Sequence, residues 1–277
     1  MNQTRPAAVA GAFYPGESGV LRHDVKAMLA AAQAHHPAVS MAPPKALIVP
    51  HAGYIYSGPI AASAYAQLIP ASARIKRVIL LGPVHRVPVR GLALPGSVDS
   101  FETPLGSVPL DKKAMASIAD LPQVVDSLPA HAWEHSLEVQ LPFLQQVLDD
   151  FSLVPLAVGD ATPREVAQVL ERLWGGAETL IVISSDLSHY LPYDVARRVD
   201  HDTAQAILAL DAPVSHEQAC GGTPVNGLLL AAQHHHLTPQ LLDLRNSGDT
   251  AGDRDRVVGY GAFAFFEGRD HVTPPRH

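Results

Sequence analysis

One cysteine, Cys220, stands among 277 residues, so an intrachain disulfide is excluded and any cysteine chemistry belongs to a lone thiol. Charge is also sparse: charged residues make up 17% against 47% hydrophobic, too apolar a balance for a disordered chain and enough to bury a sizeable core. Basic residues are the minority, with 20 Lys+Arg against 27 Asp+Glu for a net charge of −7 and no basic run, which argues against a nucleic-acid partner. No segment approaches the roughly 20 apolar residues of a membrane helix. Met1 to Gly11 lacks the basic flank and apolar stretch of a signal peptide, so the expectation is a cytoplasmic protein with no membrane partner.

Two catalytic signatures are missing as well. No G-x-S-x-G surrounds any serine, which removes support for an α/β-hydrolase despite Ser184 and Ser185. No Gly-rich phosphate loop follows a clear strand, since Gly11 to Gly16 has none before it. The 24 prolines and 20 glycines are scattered without period and read as turns between short elements.

Three short apolar runs bounded by loop residues read as buried strands of a largely parallel sheet: Ala46 to Val49, Arg77 to Leu81 and Leu180 to Ile183. Helical periodicity lies between and around them, in Leu21 to Gln33, Gly58 to Leu68, His135 to Asp149, Pro163 to Leu173, Ala196 to Leu210 and Asn226 to Gln233. Alternation of this kind predicts a single α/β domain over residues 1–277, with a central, mostly parallel β-sheet flanked by helices. Val257 to Phe266 is a late strand whose Gly259 and Gly261 predict a bulge or a close backbone approach. Arg269 to His277, with adjacent prolines, reads as a frayed tail.

Histidine is in excess, with 15 in the chain. In open α/β sheets ligands bind beyond the carboxyl ends of the strands, and polar residues follow all three central runs. Pro50-His51-Ala52-Gly53 follows the first and Gly82-Pro83-Val84-His85 the second, so two imidazoles at equivalent strand ends are placed to meet one ion. A lone loop histidine is ordinarily a hydrogen-bonded or exposed residue; the repeated placement singles these two out. The third run leads into Ser184-Ser185-Asp186-Leu187-Ser188-His189, where Asp186 can set the tautomer of His189 for acid-base work, or simply act as an N-cap for the next element. Cys220 precedes Gly221-Gly222 and a helix start, an arrangement that favours thiolate; its bland alternative is a small buried hydrophobe.

Two histidine clusters read differently. His131-Ala132-Trp133-Glu134-His135 matches the H-x-x-E-H pattern of inverted zinc peptidases, but the helix it requires is doubtful after Pro129, and Glu134 and His135 read as groups supporting a nearby site. His234-His235-His236 at a helix end, like His35-His36, reads as solvated residues complementing the helix dipole.

The ordered motifs resemble the Memo-like family, often named as the B component of the AmmeMemoRadiSam system. They are Arg5-Pro6-Ala7, Gly11-Ala12-Phe13-Tyr14-Pro15, PHAGYIYSG at 50–58, LGPVHR at 81–86, EHSLEVQLPFL at 134–144, SSDLSHY at 184–190, ACGG at 219–222, NSGDTAGD at 246–253 and VVGYGAFAF at 257–265. The resemblance implies a fold similar to class III extradiol dioxygenases, which use non-haem iron(II). It implies metal ligation by His51, His85 and Cys220, with His189 in the place of the dioxygenases' acid-base histidine and Asp186 beside it. Cys220 would replace the carboxylate of the usual two-histidine, one-carboxylate triad; the softer thiolate favours copper or zinc over iron(II) and works against ordinary ring cleavage. The expectation is therefore an iron- or copper-dependent redox enzyme acting on an unknown small molecule. A non-catalytic scaffold using the same pocket, a role associated with eukaryotic relatives, and a zinc hydrolase are the alternatives. Family context implies AMMECR-type and radical SAM partner proteins.

Overall fold

The structure is a computed structural model that describes residues 3–35 and 43–268. His36 and the expected frayed tail lie outside the described residues. Strands in chain order are β1 (Thr4–Arg5), β2 (Ala46–Val49), β3 (Arg77–Pro83), β4 (Leu92–Leu94), β5 (Ser100–Thr103), β6 (Gly106–Pro109), β7 (Val124–Asp126), β8 (Ser152–Val158), β9 (Thr179–Ser184), β10 (His189–Leu191), β11 (Thr238–Asn246) and β12 (Val257–Phe266). Helices are α1 (Ser18–His35), α2 (Tyr54–Tyr65), α3 (Lys112–Ala116), α4 (Leu128–Ala132), α5 (His135–Glu138), α6 (Leu141–Val147), α7 (Pro163–Leu173), α8 (Tyr193–Leu208) and α9 (Gly222–His234).

The main sheet runs β10-β12-β2-β9-β3-β8-β4-β7, with β11 also paired to β12. Its centre, β2-β9-β3-β8, is parallel, while β12 joins β2 and β4 joins β8 antiparallel, so the sheet is mixed. These four central strands are rich in Val, Ile and Leu and are buried throughout except at Arg77 and Ser152, the first residues of β3 and β8. Register decides where the functional loops start. Val49 pairs with Ser184, and Leu81 with Ile183, so the strands end nearly level and release His51, His85 and Asp186 along one edge. β3 runs to Pro83 because β8 continues alongside it as far as Val158.

Helix α7 shows how the flanking layer is specified. Thr162 and Glu165 form a reciprocal capping box, Pro163 occupies the first turn where its missing N–H costs nothing, and Val166, Val169, Leu170 and Leu173 form a buried stripe. The expected single helix over His135 to Asp149 is instead two, α5 and α6. Pro142 falls in the first turn of α6, the position a helix interior would have denied it. Near Gly259 the expectation of a close approach is met: a Cβ there would stand 2.1 Å from Asp200 Oδ2. The register shifts instead lie on β12's partners, between Leu241 and Asp243 of β11 and between His189 and Leu191 of β10.

Candidate metal centre

Beyond the carboxyl ends of β2 and β3, three imidazoles converge. His51, His85 and His135 each offer one ring nitrogen, and these atoms all lie within 4.8 Å of one another. The rings are 4.6 to 5.4 Å apart between centroids. His51 and His85 are aimed by groups behind them, and the hydrogen-bond network assigns their tautomers.

Ser184 Oγ donates to the Ser136 carbonyl at 2.6 Å and accepts from Gln140 Nε2 at 2.9 Å. With its proton committed, the hydroxyl can only accept from His51 Nδ1 at 2.9 Å, so that nitrogen carries the proton and the Nε2 lone pair faces the cluster. His85 Nδ1 donates to Glu134 Oε1 at 2.8 Å, while the His85 backbone N–H donates to Oε2 at 2.6 Å, leaving His85 Nε2 free in the same way. Burial opposes ionisation of Glu134, yet the bonds from His85 and from the Ser136 backbone outweigh it and hold the carboxyl at about 2.

Burial pushes His51 well below the ordinary histidine range, helped by repulsion from His135, His85 and His189, and burial likewise brings His135 down to about 4. Those two rings are neutral at pH 7, the form that ligates metal. Nδ1 of His135 is buried without a hydrogen-bond partner, lying 3.3 Å from Glu134 Oε1 but off the bonding direction. An orphaned buried nitrogen and inward lone pairs are the features a metal would satisfy, so this group fits a metal ion.

Cys220 lies at the same place. Its Sγ is 3.3 Å from His51 Nε2 and 3.7 Å from the Asp186 carbonyl, with Gly221 N–H bonded to Ser185 Oγ at 2.9 Å to fix the turn. The expectation of a ready thiolate is corrected. Burial, reinforced by the Asp186 carboxylate, pushes the thiol up to about 12, outweighing the nearby backbone N–H of Gly221. The thiol of the protein alone is therefore protonated and hydrogen-bonds His51 Nε2; a metal beside it would be needed to take the proton off.

Asp186 and His189 both border the cluster, but not as a pair. Asp186 Oδ1 accepts the His51 backbone N–H at 2.7 Å, and Oδ2 stands 4.0 Å from His51 Nε2. His189 Nδ1 donates to the Leu187 carbonyl at 2.8 Å, so a main-chain oxygen rather than Asp186 sets its tautomer and frees Nε2. Burial raises Asp186 to about 7 against the opposing backbone bonds from His51 and Ala52, and burial lowers His189. Both groups face a cavity of about 590 Å³, whose wall also includes Phe13, Tyr56, Tyr190 and Arg256. Arg256 lies over the Tyr190 ring at 5.2 Å.

From the sequence both Glu134 and His135 are expected to support a nearby site, and Glu134 does bond His85 through both its ring and its backbone N–H. In the structure His135 is a member of the cluster, while His131 is not: its Nε2 bonds the Ala93 carbonyl at 2.8 Å on the far side of a helix break at Trp133–Glu134. The two histidines of H-x-x-E-H are on different helices, which removes the peptidase geometry. His135 reaches the cluster because α5 docks tightly on β3. A Cβ at Gly82 would stand 2.7 Å from Ser136 Oγ, which donates to the Pro83 carbonyl at 2.9 Å.

A second missed feature clamps that turn from behind. Arg5 Nε donates to the His131 carbonyl at 2.6 Å and Nη2 to that of Glu134 at 2.9 Å, while Nη1 pairs with buried Glu138 at 2.6 Å. Glu138 also takes the backbone N–H groups of Ala8 and Val9 and the Tyr14 hydroxyl. Glu138 lies in the EHSLEVQLPFL motif and Arg5 near the N-terminus; a pairing across that much chain leaves no trace in local spacing.

Fold and site together define an α/β protein with a buried imidazole cluster beyond its parallel strand ends. Residues 5–264 match the Memo-like protein family, and the chain belongs to it. It is 35% identical to a MEMO1 family protein of Metallosphaera sedula, over 94% of this chain and 99% of that one. A MEMO1 family protein of Aquifex aeolicus is 37% identical over 95% and 99%, and one of Ignicoccus hospitalis 36% identical over 94% and 98%. The crystal structure of an uncharacterized protein JW3007 from Escherichia coli K12 is similar with a TM-score of 0.48 and 15% identity, over 78% of this chain and 98% of that one. Among the described residues no helix is long and apolar enough to cross a membrane.

Proposed function

We propose that the chain is a metal-dependent redox enzyme that holds iron or copper between His51, His85 and a third donor and acts on a small molecule in the adjoining cavity. The observation carrying this reading is the pair of Nε2 lone pairs, on His51 and His85, forced toward one point by the proton-accepting roles of Ser184 and Glu134. His135 and Cys220 both stand close enough to complete the set: the first gives three imidazole nitrogens suited to iron, copper or zinc, the second a softer site inclined to copper. When bound, the metal would supply an electrophilic, redox-active centre with open positions. His189, with Nε2 free and Nδ1–H held by Leu187, serves as general base or acid toward the substrate, and Asp186, poised near neutrality, takes or returns a second proton beside it.

The exposed Tyr190 ring and Arg256 at the cavity mouth favour a second reading, a binding protein that seats a partner there without chemistry. One experiment separates them: metal content of untagged, anaerobically purified protein, for the wild type and for His51→Ala, His85→Ala, His135→Ala and Cys220→Ala. Near-stoichiometric iron or copper, lost in the first two variants, is expected, and whichever of the last two loses it names the third donor. Full retention in every variant would sink the ligand assignment. A wild type that stays empty when offered iron, copper and zinc turns the weight to the binding protein, and zinc with ester or peptide turnover to a hydrolase.

A further inference from the structure

Helix α9 starts two residues after Cys220 and runs 13 residues to His234. At about 1.5 Å per residue its far end is roughly 20 Å from the buried imidazole cluster. At that end a second group of ligand-type side chains comes together. Glu171 Oε1 is 3.0 Å from His234 Nδ1 and Glu171 Oε2 is 2.8 Å from His235 Nε2, and one donor atom from each residue lies within 4.8 Å of the others.

Three features make this a built arrangement. His235 is stacked on Trp174 with ring centroids 3.7 Å apart and planes at 7°, which fixes the imidazole's orientation. Trp174 caps α7, the helix that carries Glu171, so the stack ties the two helix ends directly. The helices approach closely because of Gly227, where a Cβ would be 2.3 Å from Val166 Cγ1. The donors therefore sit on a rigid helix pair, the condition under which three side chains hold an ion without large ordering cost.

Without a metal both Glu171 oxygens accept hydrogen bonds from the imidazoles, so an ion entering between them would replace those two N–H···O bonds, each ring presenting a lone pair where it now holds a proton. Bonds of about 2.0–2.1 Å to nitrogen and oxygen place neighbouring donors about 3.3 Å apart around a tetrahedral zinc ion, and the three donor atoms here all lie within 4.8 Å of one another. Two imidazoles with one carboxylate suit borderline first-row ions and not magnesium or calcium, which take oxygen donors. The side chains are 35%, 72% and 28% exposed for Glu171, His234 and His235, so an ion can enter and keep water on its outer side.

We propose that Glu171, His234 and His235 form a second, surface site for a divalent transition ion of the zinc, nickel or copper class, which staples the C-terminal ends of α7 and α9. The site is independent of the buried cluster and does not rest on the function proposed for it.

The test is zinc titration of the untagged full chain by calorimetry, with the buried site removed as His51→Ala/His85→Ala. That background is expected to take up about one zinc ion. Adding Glu171→Gln, at a half-buried position, or His234→Ala, at an exposed one, should weaken uptake by at least the roughly tenfold that even an outer-shell change costs a metal site. Zinc should also raise the melting temperature of the background and not of the added variants. If the background does not fold, the wild type is compared with Glu171→Gln alone, and zinc stoichiometry should fall by one. Uptake unchanged by Glu171→Gln and His234→Ala, or no zinc bound outside the buried cluster, overturns the proposal.

Discussion

Two histidine groups in one chain are each built around a single glutamate, and they use it in opposite ways. In the buried group Glu134 stands behind His85, taking its Nδ1 proton so that the lone pair points inward, and it never joins the cluster. On the surface Glu171 lies between His234 and His235 as a candidate donor itself. Burial explains the difference. In the low-dielectric interior a carboxylate is costly unless fully hydrogen-bonded, so Glu134 is consumed by His85 and Ser136; Glu171 also accepts from two imidazoles, but at 35% exposure it keeps one side open to solvent, where an ion can reach it.

The largest expected effect breaks the buried side alone. Arg5→Met leaves Glu138 unpaired in the interior and releases the carbonyls of His131 and Glu134, costing about 3–5 kcal/mol in urea unfolding. Metal uptake at the strand ends should fall with it, and zinc binding by the surface group should persist in whatever fraction stays folded.

Acid distinguishes the regions next. His131, 1% exposed, is brought down to about 4 mainly by burial, against an ordinary value of 6.5. Between those two values the unfolded chain binds the proton and the folded one does not, so stability falls as pH drops from about 6.5 to about 4, by up to about 3 kcal/mol. Unfolding midpoints against pH should show this limb, and His131→Gln, whose amide can still donate to Ala93, should flatten it.

Gly82→Ala is expected to cost about 1–3 kcal/mol by crowding Ser136. Because it moves α5 away from β3, it should also reduce metal stoichiometry at the buried cluster while the surface group is unchanged; equal loss at both would show that the two are not independent. The smallest effect is Glu171→Gln without metal, less than about 1 kcal/mol, since its pairs with His234 and His235 are solvated.

Much of the fold was legible because it rests on local pattern. Ala46–Val49 is the strand expected from its apolar run, and Pro163–Leu173 the helix expected from its stripe and cap. The site was legible where it follows directly from a strand end, at His51, His85 and Asp186, and at Cys220 just before α9. His135 was not read as a cluster member because its neighbour His131 made a more familiar motif, and only the helix break at Trp133–Glu134 separates them. The expected Asp186–His189 pair failed for a comparable reason: a carbonyl two residues away, Leu187, satisfies the imidazole without long-range help.

By itself, the sequence determined the alternation of strand and helix, the edge of the sheet where polar groups gather, and the family, since each depends on runs and spacings within a few residues. Tertiary structure alone decided which imidazoles meet, which nitrogen of each keeps its proton, the protonated state of Cys220, and the encounter of Glu171 with His234 and His235. Those depend on groups 34 to 169 residues apart, such as Cys220 with Asp186 and with His51, and on burial that strengthens every hydrogen bond and penalises every unpaired charge.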